Sequence, residues 1–161
     1  MSWLVVILIT VVIIGVAAYF GYNKNKQLMG EGKIVARKGT YWEEEHLFTT
    51  GTTYDNLLDA IGKTDFSDCK AEVIPNANGQ MSVLFKSSHA WNAEVDYLGE
   101  QDGKNQYKFY FVAWQTRNGM PYNVTSMNMI LTSIEKLFFS LDPTTTVRSQ
   151  RAQIKSKTKF F

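Results

Sequence analysis

The residues from Trp3 to Tyr22 form a run of 20 without a charged side chain. At about 1.5 Å per residue, a helix of this length measures roughly 30 Å, the thickness of a bilayer's hydrocarbon core. A soluble helix of the same length carries a polar stripe, and this run has no polar side chain beyond Thr10 apart from its aromatic ends. Trp3, Tyr19 and Tyr22 stand where interfacial aromatic residues prefer to lie. The run therefore predicts a membrane anchor over residues 1–22.

A secretory signal peptide is the alternative for the same segment. The residues at 16–18, Val-Ala-Ala, supply the small side chains that signal peptidase requires. Against cleavage, the apolar run exceeds the roughly 7–15 residues of a signal core, and no Lys or Arg precedes it. We therefore predict that the anchor is retained. Within it, Ala17 and Gly21 form a pair of small residues four apart, a spacing that permits close packing between helices.

The basic residues that follow the anchor predict its orientation. One acid, Glu31, stands among five bases: Lys24, Lys26, Lys33, Arg37 and Lys38. Lys and Arg beside a span tend to stay on the cytoplasmic side. This predicts a single-pass protein of the plasma or inner membrane, with its N-terminus outside and its C-terminal domain in the cytoplasm. The reverse orientation, with the domain outside the cytoplasm, is the alternative.

The chain beyond the anchor is long enough for one domain with a core of its own. Residues 23–33 are polar, contain two glycines and predict a linker. Residues 34–161 then predict one small α+β domain. Its basic tail, residues 143–161, holds five basic side chains and no acid, whereas the rest of the chain has 12 basic and 15 acidic side chains.

Residue patterns predict the elements of this domain. Residues 33–50 predict two extended pieces broken near Gly39, and residues 52–63 predict a short helix capped by Thr52 or Thr53. Residues 71–87 predict a hairpin, and a further turn at 100–105 joins two more strands. Residues 123–141 show the strongest helical periodicity, and the tail predicts one more strand. We expect an antiparallel sheet with two helices packed mainly on one face, preceded by the transmembrane helix.

The aromatic strand predicted over residues 107–114 leads to a specific prediction of a contact surface. The alternation over residues 107–114 places Tyr110, Val112 and Trp114 on one face and Tyr107, Phe109, Phe111 and Ala113 on the other. If both helices cover the second of these faces, the first needs another covering, such as the linker, a partner or a ligand. The expected contact residues are the aromatic and apolar side chains Trp114, Tyr110, Val112, Trp91 and Tyr122.

Two groups of reactive side chains are candidates for catalysis. On a strand, Glu44 and His46 share a face, where the carboxylate could orient the imidazole as a base. Cys69 is the lone cysteine, and a histidine folded nearby could activate its thiol. The alternatives are an exposed edge strand for the acidic stretch and simple packing for the cysteine. A metal site would need a third ligand, and His89 is the second of only two histidines.

The basic tail has two candidate ligands, anionic lipid and nucleic acid. Its basic side chains are Arg148, Arg151, Lys155, Lys157 and Lys159. The acidic balance of the domain body argues against nucleic acid, and the predicted membrane lies a linker's length away. We therefore expect lipid contact, if the tail has a ligand at all, and no nucleic acid.

No sequence motif in this chain identifies a chemical reaction. We expect a membrane-anchored binding or scaffolding domain, an accessory subunit of a membrane-associated assembly, and no enzymatic activity, cofactor or metal. The alternative is an envelope-facing domain that binds a small ligand, and the third hypothesis is an enzyme that uses Glu44, His46 or Cys69. The expected partners are the membrane and an unidentified protein, and a homo-oligomer stays open.

Overall fold

The computed structural model describes residues 3–37, 39–66, 69–75, 81–88 and 91–152. The chain divides into two compact units between Ala36 and Arg37. The first unit consists mainly of helix α1, Trp3–Gly30, in which no residue is buried. It has the length and apolar character of a membrane span, and a signal sequence shares both properties. The helix continues to Gly30, so residues 23–30 of the predicted linker are helical.

The second unit is an α+β fold with a six-stranded antiparallel sheet, as the sequence predicts. The strand order is β2-β3-β4-β5-β1-β8. The strands are β1 Glu44–Thr50, β2 Cys69–Pro75, β3 Met81–Ser87, β4 Trp91–Gln101, β5 Lys104–Trp114 and β8 Thr146–Arg151. Two short strands, β6 Thr116–Arg117 and β7 Met120–Pro121, form a separate hairpin. The helices are α2 Tyr54–Lys63 and α3 Val124–Leu141.

Side-chain caps mark the start of both helices in this unit. The hydroxyl of Thr53 accepts a hydrogen bond from the backbone N–H of Asn56 at 3.4 Å, which fixes the first turn of α2. The Asn123 side chain accepts from the N–H of Ser126 at 3.2 Å at the start of α3. Both predicted helices are thus confirmed, and Thr53 is the predicted cap that the chain uses.

Two tight turns fix the register of neighbouring strands. Asp102 and Gly103, with φ of 53° and 73°, join β4 to β5, and Asn118 and Gly119, with φ of 53° and 79°, join β6 to β7. A two-residue turn with positive φ at both positions matches the right-handed twist of the flanking strands. The predicted turn between the two strands at 100–105 is therefore confirmed.

A one-residue bulge in β5 changes which face Trp114 occupies. Asn92 of β4 lies opposite Ala113, but its neighbour Ala93 lies opposite Phe111, so Val112 is the extra residue. Beyond the bulge the alternation of side chains is shifted by one position. Trp114 therefore joins the hydrophobic core, with 9% of its surface exposed, and does not share a face with Val112. The predicted common face of Tyr110, Val112 and Trp114 is wrong at Trp114.

The core is built around three aromatic rings from distant parts of the chain. The ring of Phe138 in α3 stacks on Phe48 of β1 with centroids 4.3 Å apart, and it lies 5.2 Å from Tyr107 of β5. All three side chains are completely buried. The hydroxyl of Tyr107 donates to the carbonyl of Thr52 at 2.9 Å, so its one polar atom is satisfied. Leu57 of α2 belongs to the same core.

Arg37 fastens the start of the second unit to α3. Its guanidinium donates to both carboxylate oxygens of Glu135, at 3.0 and 2.6 Å, and to the side-chain oxygens of Asn128 and Thr132. Only 11% of the Arg37 side chain is exposed. A bidentate pair with two further acceptors holds a guanidinium in one orientation. Arg37, predicted as a residue of the basic flank, is therefore engaged within the domain.

Asp142 joins the end of α3 to the end of β1. Its carboxylate accepts hydrogen bonds from the backbone N–H of Gly51 at 2.6 Å and from the N–H and hydroxyl of Thr144 at 2.8 and 2.7 Å. The hydroxyl of Thr50 donates to it at 3.1 Å. These donors, with the Gly51 N–H first, hold the pKa of Asp142 well below its usual range. The predicted end of the helix before Pro143 is confirmed.

Three further sequence predictions can be compared with the described residues. The extended piece predicted before Gly39 is not a strand, and residues 41–43 form a 3₁₀ turn. The acidic stretch is no edge strand, because β1 lies between β5 and β8. The predicted strand in the tail is confirmed as β8. The predicted turn at 76–79 and the tail lysines Lys155, Lys157 and Lys159 lie outside the described residues.

We expect Phe138→Ala to lower the free energy of unfolding of the domain by about 3–5 kcal/mol, because it leaves a cavity between Phe48 and Tyr107. Phe139→Ala is the matched control, since Phe139 is the next residue and is 44% exposed. Its expected cost is below about 0.5 kcal/mol. Urea unfolding followed by tryptophan fluorescence measures both. Equal costs for the two variants would contradict the central position of Phe138.

Candidate functional site

A polar network covers the face of the sheet opposite the core, and we call it the outer-face network: Ser82, Glu94, Asp96, Lys108 and Tyr110. The Ser82 hydroxyl donates to Asp96 at 2.6 Å, and the Lys108 ammonium lies 3.5 Å from the other Asp96 oxygen. The same ammonium lies 4.6 Å from the centre of the Tyr110 ring. The Tyr110 hydroxyl donates to Glu94 at 2.8 Å. The network thus links β3, β4 and β5 in one chain of contacts.

The members of this network are only partly accessible to water. Side-chain exposure is 16% for Lys108 and 11% for Asp96, and Ser82 is fully buried. Burial, followed by the hydrogen bond to Glu94, raises the pKa of Tyr110 well above its usual range. Tyr110 is therefore a neutral hydrogen-bond donor at neutral pH and cannot act as a base. The arrangement brings together a cation, two carboxylates and an aromatic ring, each of which contacts another member of the network.

The structure divides the predicted contact residues into two groups. Trp91 and Trp114 lie in the core, at 3% and 9% exposure, and the Trp91 indole N–H donates to the Ser126 hydroxyl at 3.2 Å. Tyr110 and Val112 are half-buried on the outer face, and Tyr122 is 59% exposed beyond the β6–β7 hairpin. Only Tyr110 and Val112 are therefore brought together on the sheet surface.

Sequence reasoning did not identify the charged members of the outer-face network. The alternation of side chains along β4 places Glu94 and Asp96 on the face away from the core. Their partners lie directly opposite on the neighbouring strand, because Glu94 pairs with Tyr110 and Asp96 with Lys108. The opposite-charge pair does not follow from the Asp102–Gly103 turn alone, because Leu98 is an extra residue in β4 and shifts the register between Tyr97 and Gly99.

His46 is a buried residue in β1 with both ring nitrogens engaged. Its Nδ1 lies 3.0 Å from the Ser149 hydroxyl, and its Nε2 lies 3.4 Å from the backbone carbonyl of Tyr41. With the proton on Nε2, the ring donates to Tyr41 and accepts from Ser149, so the neutral form satisfies both contacts. Burial is the largest of the effects that lower the pKa of His46. These contacts favour a structural role.

The side chains of Glu44 and Glu45 have different surroundings. Glu44 is half-buried and lies opposite Arg151 of β8. Glu45 is 5% exposed and accepts a hydrogen bond from the Gln150 amide at 3.2 Å. Neither carboxylate is a hydrogen-bond partner of His46, whose two nitrogens contact Ser149 and Tyr41. The acidic stretch is thus held mainly by the neighbouring strand β8.

Cys69 lies on the edge strand β2, and His46 lies on β1. Three strands separate β2 from β1, so at about 4.8 Å per strand the two residues are at least about 19 Å apart. The Cys69 thiol donates to the Phe66 carbonyl at 3.6 Å and lines a groove of about 350 Å³ beside Leu58 and Val73. His89, the other histidine, lies outside the described residues. A shared Cys69–His46 centre is therefore not formed.

Two further observations concern the site: the arrangement of possible metal ligands and the similarity to known proteins. Within residues 3–37, 39–66, 69–75, 81–88 and 91–152, no group of three or more His, Cys, Asp or Glu side chains is arranged to hold a metal ion. Comparison with known proteins finds no matching family model, no matching curated sequence and no matching solved structure.

The buried His46 predicts a decrease in stability on mild acidification. Its pKa in the folded protein lies below the unfolded value of about 6.5, so below that pH the unfolded chain binds more protons. The free energy of unfolding should therefore fall as the pH drops through about 6.5 and should not depend on His46 above about pH 7.5. Urea unfolding at a series of pH values measures this slope.

The matched variants are His46→Gln and His89→Gln. His46→Gln removes the titrating group, so we expect the slope near pH 6 to flatten, with a constant cost of about 1–3 kcal/mol from altered buried hydrogen bonds. His89→Gln should leave the slope contributed by His46 in place. A slope that disappears in His89→Gln and persists in His46→Gln would contradict the assignment.

Proposed function

We propose that this chain is a single-pass membrane protein whose α+β domain, with two helices on one face of its sheet, binds a protein partner on the cytoplasmic side. In this role it is an accessory or scaffolding subunit of a membrane-associated assembly. The observation that carries the proposal is helix α1, in which the apolar side chains are exposed along the whole length. Burying apolar surface is favourable by about 25 cal/mol per Å², so such a helix requires a lipid environment or a partner.

The orientation in this proposal rests on the basic residues at the end of α1. Lys24 and Lys26 lie within the helix, immediately after the apolar run. Lys33 follows and lies 2.9 Å from Glu31, and both side chains are substantially exposed. Arg37 contributes less to this argument, because its guanidinium is bound to Glu135. The remaining lysines still favour the cytoplasmic side for the domain.

The outer face of the sheet is the proposed contact surface. Tyr110 and Val112 supply half-buried aromatic and apolar area, and Lys108 and Glu94 supply charges of both signs beside them. Interfaces of non-obligate complexes combine aromatic anchors with a polar surround. Tyr122 is a separate exposed contact candidate, and Trp114 and Trp91 support the surface from within the core.

Two of the tail's basic residues are proposed to contact anionic lipid. Arg148 and Arg151 are exposed on β8, the strand at one end of the sheet. Near an anionic cytoplasmic leaflet, each Lys or Arg contributes about 1 kcal/mol to attraction. The separation of His46 from Cys69 supports a binding role over the alternative of a Cys–His enzyme.

Protease accessibility tests the membrane anchor and the orientation. We expect the full chain to stay in the membrane after carbonate extraction, which a cleaved signal sequence would not allow. We expect added protease to digest the domain in inverted vesicles and to leave it intact in whole cells or spheroplasts, because the lysines of α1 stay in the cytoplasm. Lys24→Glu with Lys26→Glu is the matched variant, and it should increase the fraction digested from outside. Digestion of the unmodified chain from outside would overturn the orientation.

Substitution on the outer face tests the contact surface. Tyr110→Ala with Val112→Ala should reduce the amount of partner that co-purifies with the full chain from solubilised membranes by about tenfold or more, because interface anchors cost about 2 kcal/mol each. Phe139→Ala is the control, since it removes an exposed aromatic side chain from α3. Thermal unfolding checks that both variants stay folded. An unchanged complex with folded Tyr110→Ala, Val112→Ala protein would contradict the proposed surface.

A further inference from the structure

Among the residues that the structure describes, β2 is the edge strand at one end of the sheet and is hydrogen-bonded to β3 on one side. We propose that β2 pairs with β2 of a second copy of this chain, antiparallel and centred on Ala71, so that the two sheets become continuous. This pairing uses a different surface from the outer-face network and does not depend on the proposed function.

The open side of β2 is accessible. Lys70, Ala71, Glu72 and Val73 are all exposed, and Val73 keeps 47% of its surface in contact with solvent. A strand at the end of a sheet presents a row of backbone N–H and C=O groups, which are ready to pair with another strand. Antiparallel pairing of two identical strands gives a closed two-fold interface, in which each copy makes the same contacts.

The sequence of β2 selects one register for such a pair. In a continuous sheet, the cores of the two copies lie on the same side. Even-numbered residues of one β2 then lie opposite even-numbered residues of the other, and odd-numbered opposite odd-numbered, because a one-residue slip exchanges the faces. A pair centred on Lys70 or on Glu72 places identical charges opposite each other, which is unfavourable. A pair centred on Ala71 places Lys70 opposite Glu72 of the second copy, and this happens twice. The strand is thus complementary to itself in charge.

Within the described part of one copy, the charges next to Lys70 include a like charge on the neighbouring strand. Lys70 lies directly opposite Lys86 of β3. The Lys86 ammonium is satisfied by Glu72, at 2.6 Å. Lys70 makes no ion pair with any residue in the described part of the chain. Glu72 of a second copy would supply the missing negative charge beside two lysines.

The face of β2 that lies toward α2 is apolar, and its residues fit the register centred on Ala71. Cys69, Ala71 and Val73 line the groove between β2 and the C-terminal half of α2, together with Leu58 and Phe66. Centring on Ala71 places Val73 opposite Cys69 of the second copy, so pairing covers the exposed valine. The interface therefore has an apolar face toward the groove and a charge-paired face on the other side of the sheet.

The strand at the other end of the sheet lacks this self-complementarity. The charged residues of β8 are Arg148 and Arg151, and it contains no acid. Basic side chains on an edge strand discourage pairing with a like strand. In a shared membrane the anchors would also confine two copies to one plane, which raises their effective concentration. The charge argument for β2 holds without that contribution.

Disulfide trapping of the full chain in isolated membranes tests the register. In the variant Cys69→Ser, Ala71→Cys, the two introduced thiols lie directly opposite each other in the proposed pair. Opposite residues of antiparallel strands have Cα atoms about 4.5–5.5 Å apart, within the range that a disulfide spans. After oxidation with copper phenanthroline, we expect a band of twice the monomer mass on a non-reducing gel, and the reductant should remove it.

The control for chance collision is Cys69→Ser, Met120→Cys, because Met120 is 52% exposed on the separate β6–β7 hairpin. We expect little dimer from this variant under the same conditions. Equal crosslinking of both variants, or none from the Ala71→Cys variant while it stays folded by thermal unfolding, overturns the proposal. A crosslink from Ala71→Cys to a different protein also overturns it, since the occupant would then not be a second copy.

Charge exchange provides an independent test in the Cys69→Ser, Ala71→Cys background. Lys70→Glu places two carboxylates opposite each other, and Glu72→Lys places two ammonium groups opposite each other. Each single reversal should lower the dimer yield roughly fivefold to tenfold, because two cross-strand pairs change from attraction to repulsion. Combining both reversals should restore the yield. Single reversals that leave the yield unchanged would exclude the Ala71-centred register.

Discussion

The stacking of Phe138 between Phe48 and Tyr107 is the contact on which the rest of the domain depends. It joins α3 to the neighbouring strands β1 and β5, with the Phe138 centroid 4.3 Å from Phe48 and 5.2 Å from Tyr107. The hydroxyl of Tyr107 then fixes the carbonyl of Thr52, just before α2 begins. Because interiors are packed as densely as crystals, this one junction sets the distance between α3 and the sheet.

The outer face of the sheet follows from the same arrangement. Once Tyr107, Phe109 and Phe111 are committed to the core, Lys108 and Tyr110 must point the other way. The hairpin turn, together with the extra residue Leu98 in β4, brings Glu94 and Asp96 opposite them, so a strand that is apolar on one face carries a linked polar network on the other. This explains how a strongly aromatic strand lies in the middle of a sheet without exposing a large apolar surface.

The two ends of the sheet differ in charge, and this difference has consequences for association. Arg148 and Arg151 give β8 charges of a single sign, whereas Lys70 and Glu72 give β2 one charge of each sign, two residues apart. Repulsion protects the first edge from a like strand, and the second edge is complementary to itself. With α1 as a membrane anchor, the chain would present one face to a partner and one edge to a copy of itself.

The sequence by itself determined the apolar N-terminal helix, the two later helices, the turn at Asp102–Gly103 and the antiparallel α+β class. These features depend on local backbone preference and on periodicity, which neighbouring residues set. The tertiary structure decided the bulge at Val112, the burial of Trp114, the engagement of Arg37 by Glu135 and the place of β1 between β5 and β8. Each of these depends on which distant strand or helix a residue meets, and the pattern of a single strand carries no information about its partner's register.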